Sequence, residues 1–146
     1  MSRKFIYTIS VLILMLAFAL QPIGSASAAA TCTRSACNYV NPYGTTCWND
    51  AYNPVGYKSA SGASGTVYNY NKYSPGCIAN WSYTKNSAGQ YKWLAAETQN
   101  FTIYNGTQTF VYVYDTMEDG SGTVCTRGKQ GSSYLNYDAI TAWLCA

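Results

Sequence analysis

Six cysteines, six carboxylates and no histidine set the chemistry open to this 146-residue chain. Cys32, Cys37, Cys47, Cys77, Cys125 and Cys145 form an even set. A thiolate here has no imidazole to activate it, and a Ser-His-Asp arrangement cannot be built. Structural zinc favours C-x-x-C spacing or Cys/His mixtures, and neither is present. The expectation is three disulfides, no metal site and no cofactor. Proximity, and the need to tie the N-terminal loop to the first strands, suggests Cys37 with Cys47, Cys32 with Cys77, and Cys125 with Cys145. Acid–base chemistry is left to Asp50, Glu97, Asp115, Glu118, Asp119 and Asp138. A glycosidase needs two of them facing each other. Six acids on one small domain pair easily by accident, so no catalytic residue is assigned. Asp115, Glu118 and Asp119 share one loop, as calcium ligands do. The loop lacks the alternating D-x-D-x-D-G pattern and reads as a solvated turn.

The aromatic side chains are the better lead. The chain holds 15 Tyr and 4 Trp. Trp48, Trp81, Trp93 and Trp143 read as core residues, because large rings are mostly buried. The tyrosines are too many for one small interior, so some must line the surface. An exposed row could stack on sugar rings or dock a protein, since Tyr carries an apolar ring and a polar tip. Tyr39, Tyr43, Tyr52 and Tyr57 fall in an irregular segment, where loops more often carry function. They are the candidate binding face.

These side chains must be positioned by an exported domain. Arg3 and Lys4 precede an apolar run, Phe5 to Leu20, which Gln21, Pro22 and Gly24 break. Ser25 to Ala30 then offers small-residue cleavage sites after Ala28 or Ala30. Residues 1–30 read as a signal peptide and residues 31–146 as one secreted domain. Removing Arg3 and Lys4 leaves seven basic against six acidic side chains, with no basic run. That balance argues against nucleic acid and against an anionic membrane surface as partners.

The elements read as β. Residues 32–56 are crowded with turn residues such as Asn41-Pro42, Gly44 and Asn53-Pro54, and Asp50 is placed to cap one helical turn. Ser59 to Gly65 reads as a loop, Thr66 to Tyr73 as a strand, Ser74-Pro75-Gly76 as a turn and Cys77 to Thr84 as a strand. Tyr91 to Leu94 begins another apolar run. Asn105-Gly106 predicts a two-residue hairpin turn between Phe101-Tyr104 and Thr107-Tyr114. Its aromatic face, Phe101, Ile103, Phe110, Tyr112 and Tyr114, is expected to face the core, with Thr98, Val111 and Val113 among those opposite. Thr123 to Thr126 reads as a short strand, Gly128 to Ser133 as a loop and Tyr137 to Leu144 as a last strand. The fold class is all-β, a small disulfide-stapled antiparallel barrel or sandwich with an irregular N-terminal segment.

Two stretches carry a family resemblance. One is Cys32-x4-Cys37 with Pro42, Gly44, Cys47 and Asp50-Ala51. The other is Tyr73-Ser74-Pro75-Gly76-Cys77-Ile78-Ala79-Asn80-Trp81, a Y-S-x-x-C-x-A-x-W pattern. Together with Tyr114 to Asp119 they resemble the YjfA-like family, a domain of unknown function in exported proteins of Gram-positive bacteria. The chain departs from that pattern at Tyr68 to Lys72, where many members carry acidic and basic residues. The resemblance implies export and a compact Cys-linked domain, and no catalytic residues. The expected function is a secreted, non-enzymatic module, extracellular or cell-wall associated, with a wall glycan or an extracellular protein as partner. The alternatives are a small secreted antagonist, antimicrobial or enzyme-inhibiting, and a histidine-free hydrolase using carboxylates.

Overall fold

A computed structural model of the chain describes residues 31–87, 89, 91–100 and 111–146. Two antiparallel sheets face each other. In the first, β1 (Tyr57–Gly62), β2 (Gly65–Ser74), β3 (Ala79–Asn86) and β5 (Tyr112–Tyr114) lie side by side in that order, and β6 (Glu118–Asp119) pairs with the start of β3. In the second, β4 (Trp93–Thr98), β7 (Cys125–Ser133) and β8 (Asn136–Ile140) lie in order, and β9 (Leu144–Cys145) pairs with β7. Strands β2 and β3 pack on β4 and β7. The sheets do not close, so the architecture is a sandwich, one of the two expected forms.

The strands alternate with period 2, but the usual assignment of faces is reversed. On β2 the inward side chains are Val67, Asn69 and Asn71; on β3 they are Asn80, Ser82, Thr84 and Asn86. All of these are buried, and most are polar. Buried polar groups are tolerable only when hydrogen-bonded, and these are. Asn71 Nδ2 donates to the Val124 and Leu144 carbonyls, at 2.7 and 3.0 Å, and its Oδ1 accepts from Asn80 Nδ2 at 2.9 Å. Asn69 Nδ2 donates to Thr126 Oγ1 across the sandwich at 3.0 Å, and its Oδ1 accepts from Ser82 Oγ at 2.7 Å. Asp115 accepts from the Thr98 backbone N–H and hydroxyl. A polar layer therefore joins the sheets, beside one small apolar cluster of Val67, Leu94, Ala96, Val113 and Ala139. The sheets approach closely here. A Cβ on Gly128 would sit 2.6 Å from Thr84 Oγ1 and 3.1 Å from Asn69 Cβ, so only glycine fits.

A second apolar cluster lies outside the sandwich. The N-terminal segment, with a 3-10 turn at Arg34–Cys37 and one helical turn, α1 (Thr46–Asn49), folds over one end of the outer face of the first sheet. There it buries Cys37, Cys47, Cys77, Ala79, Trp81 and Met117. The expected irregular, stapled segment is thus present, with its own core.

Several expectations are corrected. Disulfides join Cys32 to Cys37, Cys47 to Cys77 and Cys125 to Cys145; only the last pair was expected. The 3-10 turn brings Cys37 back beside Cys32, with Cα atoms 5.2 Å apart. Helix α1 presents Cys47 to Cys77, and that bridge ties the segment to the sheet. Asp50 ends α1 rather than starting it. Its carboxylate accepts from Ser74 Oγ at 2.5 Å and from the Gly76 N–H at 2.7 Å, holding the Ser74-Pro75-Gly76 turn. The segment Ser59 to Gly65, expected as a loop, is mostly strand β1 and its tight turn to β2. Gly128 to Ser133, also expected as a loop, is the greater part of β7. The expected last strand, Tyr137 to Leu144, is broken between β8 and β9. The Asn105-Gly106 turn lies outside the described residues. Where its second strand is described, the faces are opposite to expectation: Val113 is buried and Tyr112 is exposed.

Candidate functional site

Reversal of the faces puts the aromatic residues outside. On β2 the outward series is Tyr68, Tyr70, Lys72; on β3 it is Trp81, Tyr83, Lys85. Strand pairing sets Tyr57 beside Tyr70, Tyr70 beside Tyr83, and Tyr83 beside Tyr114. One unbroken row of four tyrosines thus crosses four strands, about three strand spacings or ~14 Å. The first three rings touch in turn, and Trp48 bridges the third to the fourth. Centroids are 5.6 Å apart for Tyr57 and Tyr70, and 6.0 Å for Tyr70 and Tyr83. Tyr68 leans on Tyr57 at 5.4 Å and Tyr112 on Tyr83 at 5.5 Å, widening the row into a patch.

The stapled segment bounds one end of the patch. Trp48 packs over Trp81, Tyr83 and Tyr114, and Tyr43 stacks on Tyr114 at 6.0 Å with an interplanar angle of 19°. Trp81 is fully buried beneath, while Tyr57 at the far end is 54% exposed. The rings are held by each other and by the sheet, so little side-chain entropy remains to be lost on binding.

Two lysines lie diagonally across the row. Lys85 Nζ sits 5.3 Å from the Tyr70 ring centroid and Lys72 Nζ 5.6 Å from that of Tyr83, both within cation–π range. Partial burial, with the charge of Lys85 added, holds the Lys72 ammonium below its ordinary pKa. Burial, with Tyr112 and Tyr70 nearby, raises the Tyr83 phenol. The patch therefore carries neutral rings and two like charges.

The four tyrosines expected to form a binding face are all exposed, but they do not form one face. Tyr57 and Tyr43 belong to the patch, at opposite ends. Tyr52 packs edge-on against Tyr73 and lines a groove of about 310 Å³ with Pro54, Val55, Asn80, Gly120 and Ala146. Tyr39 takes a left-handed backbone conformation, φ 65°, and its N–H donates to the Met117 carbonyl at 3.1 Å. Sequence reasoning missed Tyr68, Tyr70, Lys72, Tyr83, Lys85 and Tyr112. Their signal was present as the paired alternations Tyr-x-Tyr-x-Lys and Trp-x-Tyr-x-Lys. Of the tryptophans expected in the core, Trp81 is fully buried, Trp48 and Trp93 are partly buried, and Trp143 is exposed with Arg127 over its ring at 4.4 Å.

The six carboxylates are spread through the structure, and each accepts from a structural donor. Asp50 holds a turn and Asp138 holds the β1–β2 turn through the Ser64 N–H and hydroxyl. Glu97, 1% exposed, bridges Arg127 and Lys129 of β7. Burial pushes its carboxyl up, but hydrogen bonds and charge from those two cations prevail and hold it below the usual range. The expected solvated acidic turn is corrected. Asp115 and Glu118 are buried; Asp115 bridges to Thr98, and Glu118 accepts from Asn100. Asp119 turns away to accept from the Ser121 N–H. Burial, and the charge of Asp119, raise the Glu118 carboxyl despite the Asn100 bond. The sulfurs of Cys32, Cys37, Cys47 and Cys77 gather within 4.8 Å of one another, engaged as two disulfides. No helix among the described residues is long and apolar enough to cross a membrane.

Comparison with protein-family models, with curated proteins and with solved structures returned no match.

Proposed function

We propose that the protein is an exported, non-enzymatic binding module whose outer aromatic patch stacks on the sugar rings of a cell-wall glycan. The observation that carries this reading is the row Tyr57–Tyr70–Tyr83–Tyr114, aligned across four strands and presented outward. A sheet that turns its tyrosines out and its asparagines in forgoes the usual apolar burial on that face. Preformed rings with polar tips suit a flat ligand that offers both C–H faces and hydroxyls. Three disulfides fit an oxidising compartment, and the N-terminal apolar run supplies the export route. The Cys and Y-S-x-x-C spacing that resembles the YjfA-like family supports the same destination. Employment of every carboxylate in turns, pairs or buried hydrogen bonds favours binding over hydrolysis.

The test is sedimentation with purified bacterial cell wall. The oxidised protein should be retained and released by soluble wall fragments. Retention no greater than that of the reduced, unfolded chain contradicts the proposal.

A further inference from the structure

The two lysines on the aromatic patch restrict what can lie there. Lys72 and Lys85 flank the Tyr70–Tyr83 ring pair from opposite sides, each leaning across it to the ring on the neighbouring strand. Neither has an ion-pair partner among the described residues. Two ammonium groups on a half-buried surface repel each other, and an anion seated between them relieves that repulsion. The geometry also bears on the kind of anion. A uronic-acid carboxylate hangs from the edge of its sugar ring, off the line of the chain. A phosphodiester lies in the chain itself, between successive sugars, where its two non-bridging oxygens can each meet an ammonium on one side of the row. Tyr57 and Tyr68 continue the stacking surface beyond the pair. From this arrangement we infer that the ligand is a sugar–phosphate polymer, its rings on the tyrosines and a phosphodiester between Lys72 and Lys85. The inference rests on the glycan-binding reading and narrows its ligand class.

The experiment is calorimetry of the mature, oxidised protein against three probes built on N-acetylglucosamine. These are a polymer of its 1-phosphate, hyaluronan as the carboxylate analogue, and neutral chitohexaose. The phosphate polymer should bind roughly tenfold tighter than chitohexaose. Lys72→Gln and Lys85→Gln should each weaken phosphate-polymer binding roughly fivefold to tenfold, with a smaller effect on chitohexaose. Raising the salt should weaken wild-type binding to the phosphate polymer, which tests the charge directly should either variant misfold. Equal affinity for the phosphate polymer and chitohexaose, or no salt dependence, overturns the inference and leaves the glycan reading standing. Hyaluronan binding as tightly as the phosphate polymer overturns the choice of phosphate. No binding to any probe removes the glycan reading itself.

Discussion

Asn71 is the sharpest test of a sandwich held together by polar side chains. Its amide donates to the Val124 and Leu144 carbonyls and accepts from Asn80, and all four residues are buried. Asn71→Ala takes the acceptor from the Asn80 amide and one donor from each of the Val124 and Leu144 carbonyls, although the Val124 carbonyl keeps the Ala146 N–H at 3.0 Å. A buried polar group stripped of its partner costs about 1–3 kcal/mol. The Val124 carbonyl keeps its backbone partner and neighbours relax around the other groups, so the loss falls short of three such penalties. A loss of about 2–4 kcal/mol is expected, a large share of the ~5–15 kcal/mol that stabilises a domain. Asn71→Leu separates this account from an ordinary hydrophobic core. Leucine would gain about 1.5–3 kcal/mol from apolar burial, yet it breaks the same three hydrogen bonds. It should therefore also destabilise. Urea unfolding with the disulfides intact, followed by tryptophan fluorescence, measures both, provided the slope against denaturant is unchanged. Asn71→Leu as stable as wild type, or Asn71→Ala losing less than about 1 kcal/mol, refutes the reasoning.

Three further expectations follow from the same structure. Gly128→Ala should destabilise by about 1–3 kcal/mol in the same assay, because the new methyl collides with Thr84 and Asn69. Glu97 has a folded pKa below its unfolded value, so its stabilisation is present above about pH 4.5 and is lost as pH falls through the folded pKa. Glu97→Gln should flatten that acid limb of the stability–pH curve, as read by thermal melts. Loss of the Cys47–Cys77 bridge, which spans 30 residues, should destabilise more than loss of Cys32–Cys37, which spans 5. The chain-entropy difference is about 1.6 kcal/mol. Paired Cys→Ser variants measure it, after non-reducing peptide mapping has verified the three connectivities.

Much of this fold was legible in the residues. Alternation over Thr66 to Tyr73 marked β2, Ser74-Pro75-Gly76 marked the turn, and Cys125–Cys145 fell within reach of a simple proximity argument. What was not legible follows a pattern. Lys58-Ser59-Ala60-Ser61-Gly62 has weak strand propensity, and it pairs because β2 offers it an open edge. Gly128 to Ser133 reads as a loop by composition, yet small residues are what close sheet packing demands. Alternation identifies two faces of a strand but does not say which is inside. The general preference for burying rings pointed one way, and the asparagine network went the other. The candidate face was misplaced for the same reason: the tyrosines of the loops were favoured, while the organised row lay on the strands.

The central claim concerns one face, so the most direct measurement compares that face with the rest of the surface. Tyr70→Ala and Tyr83→Ala remove rings from the middle of the row, and Tyr134→Ala removes an exposed ring that packs on Trp93 of the second sheet. Binding to purified cell wall should fall more than about fivefold for each of the first two and stay at the wild-type level for the third. Equal retention of all three variants, with folding intact, contradicts the account.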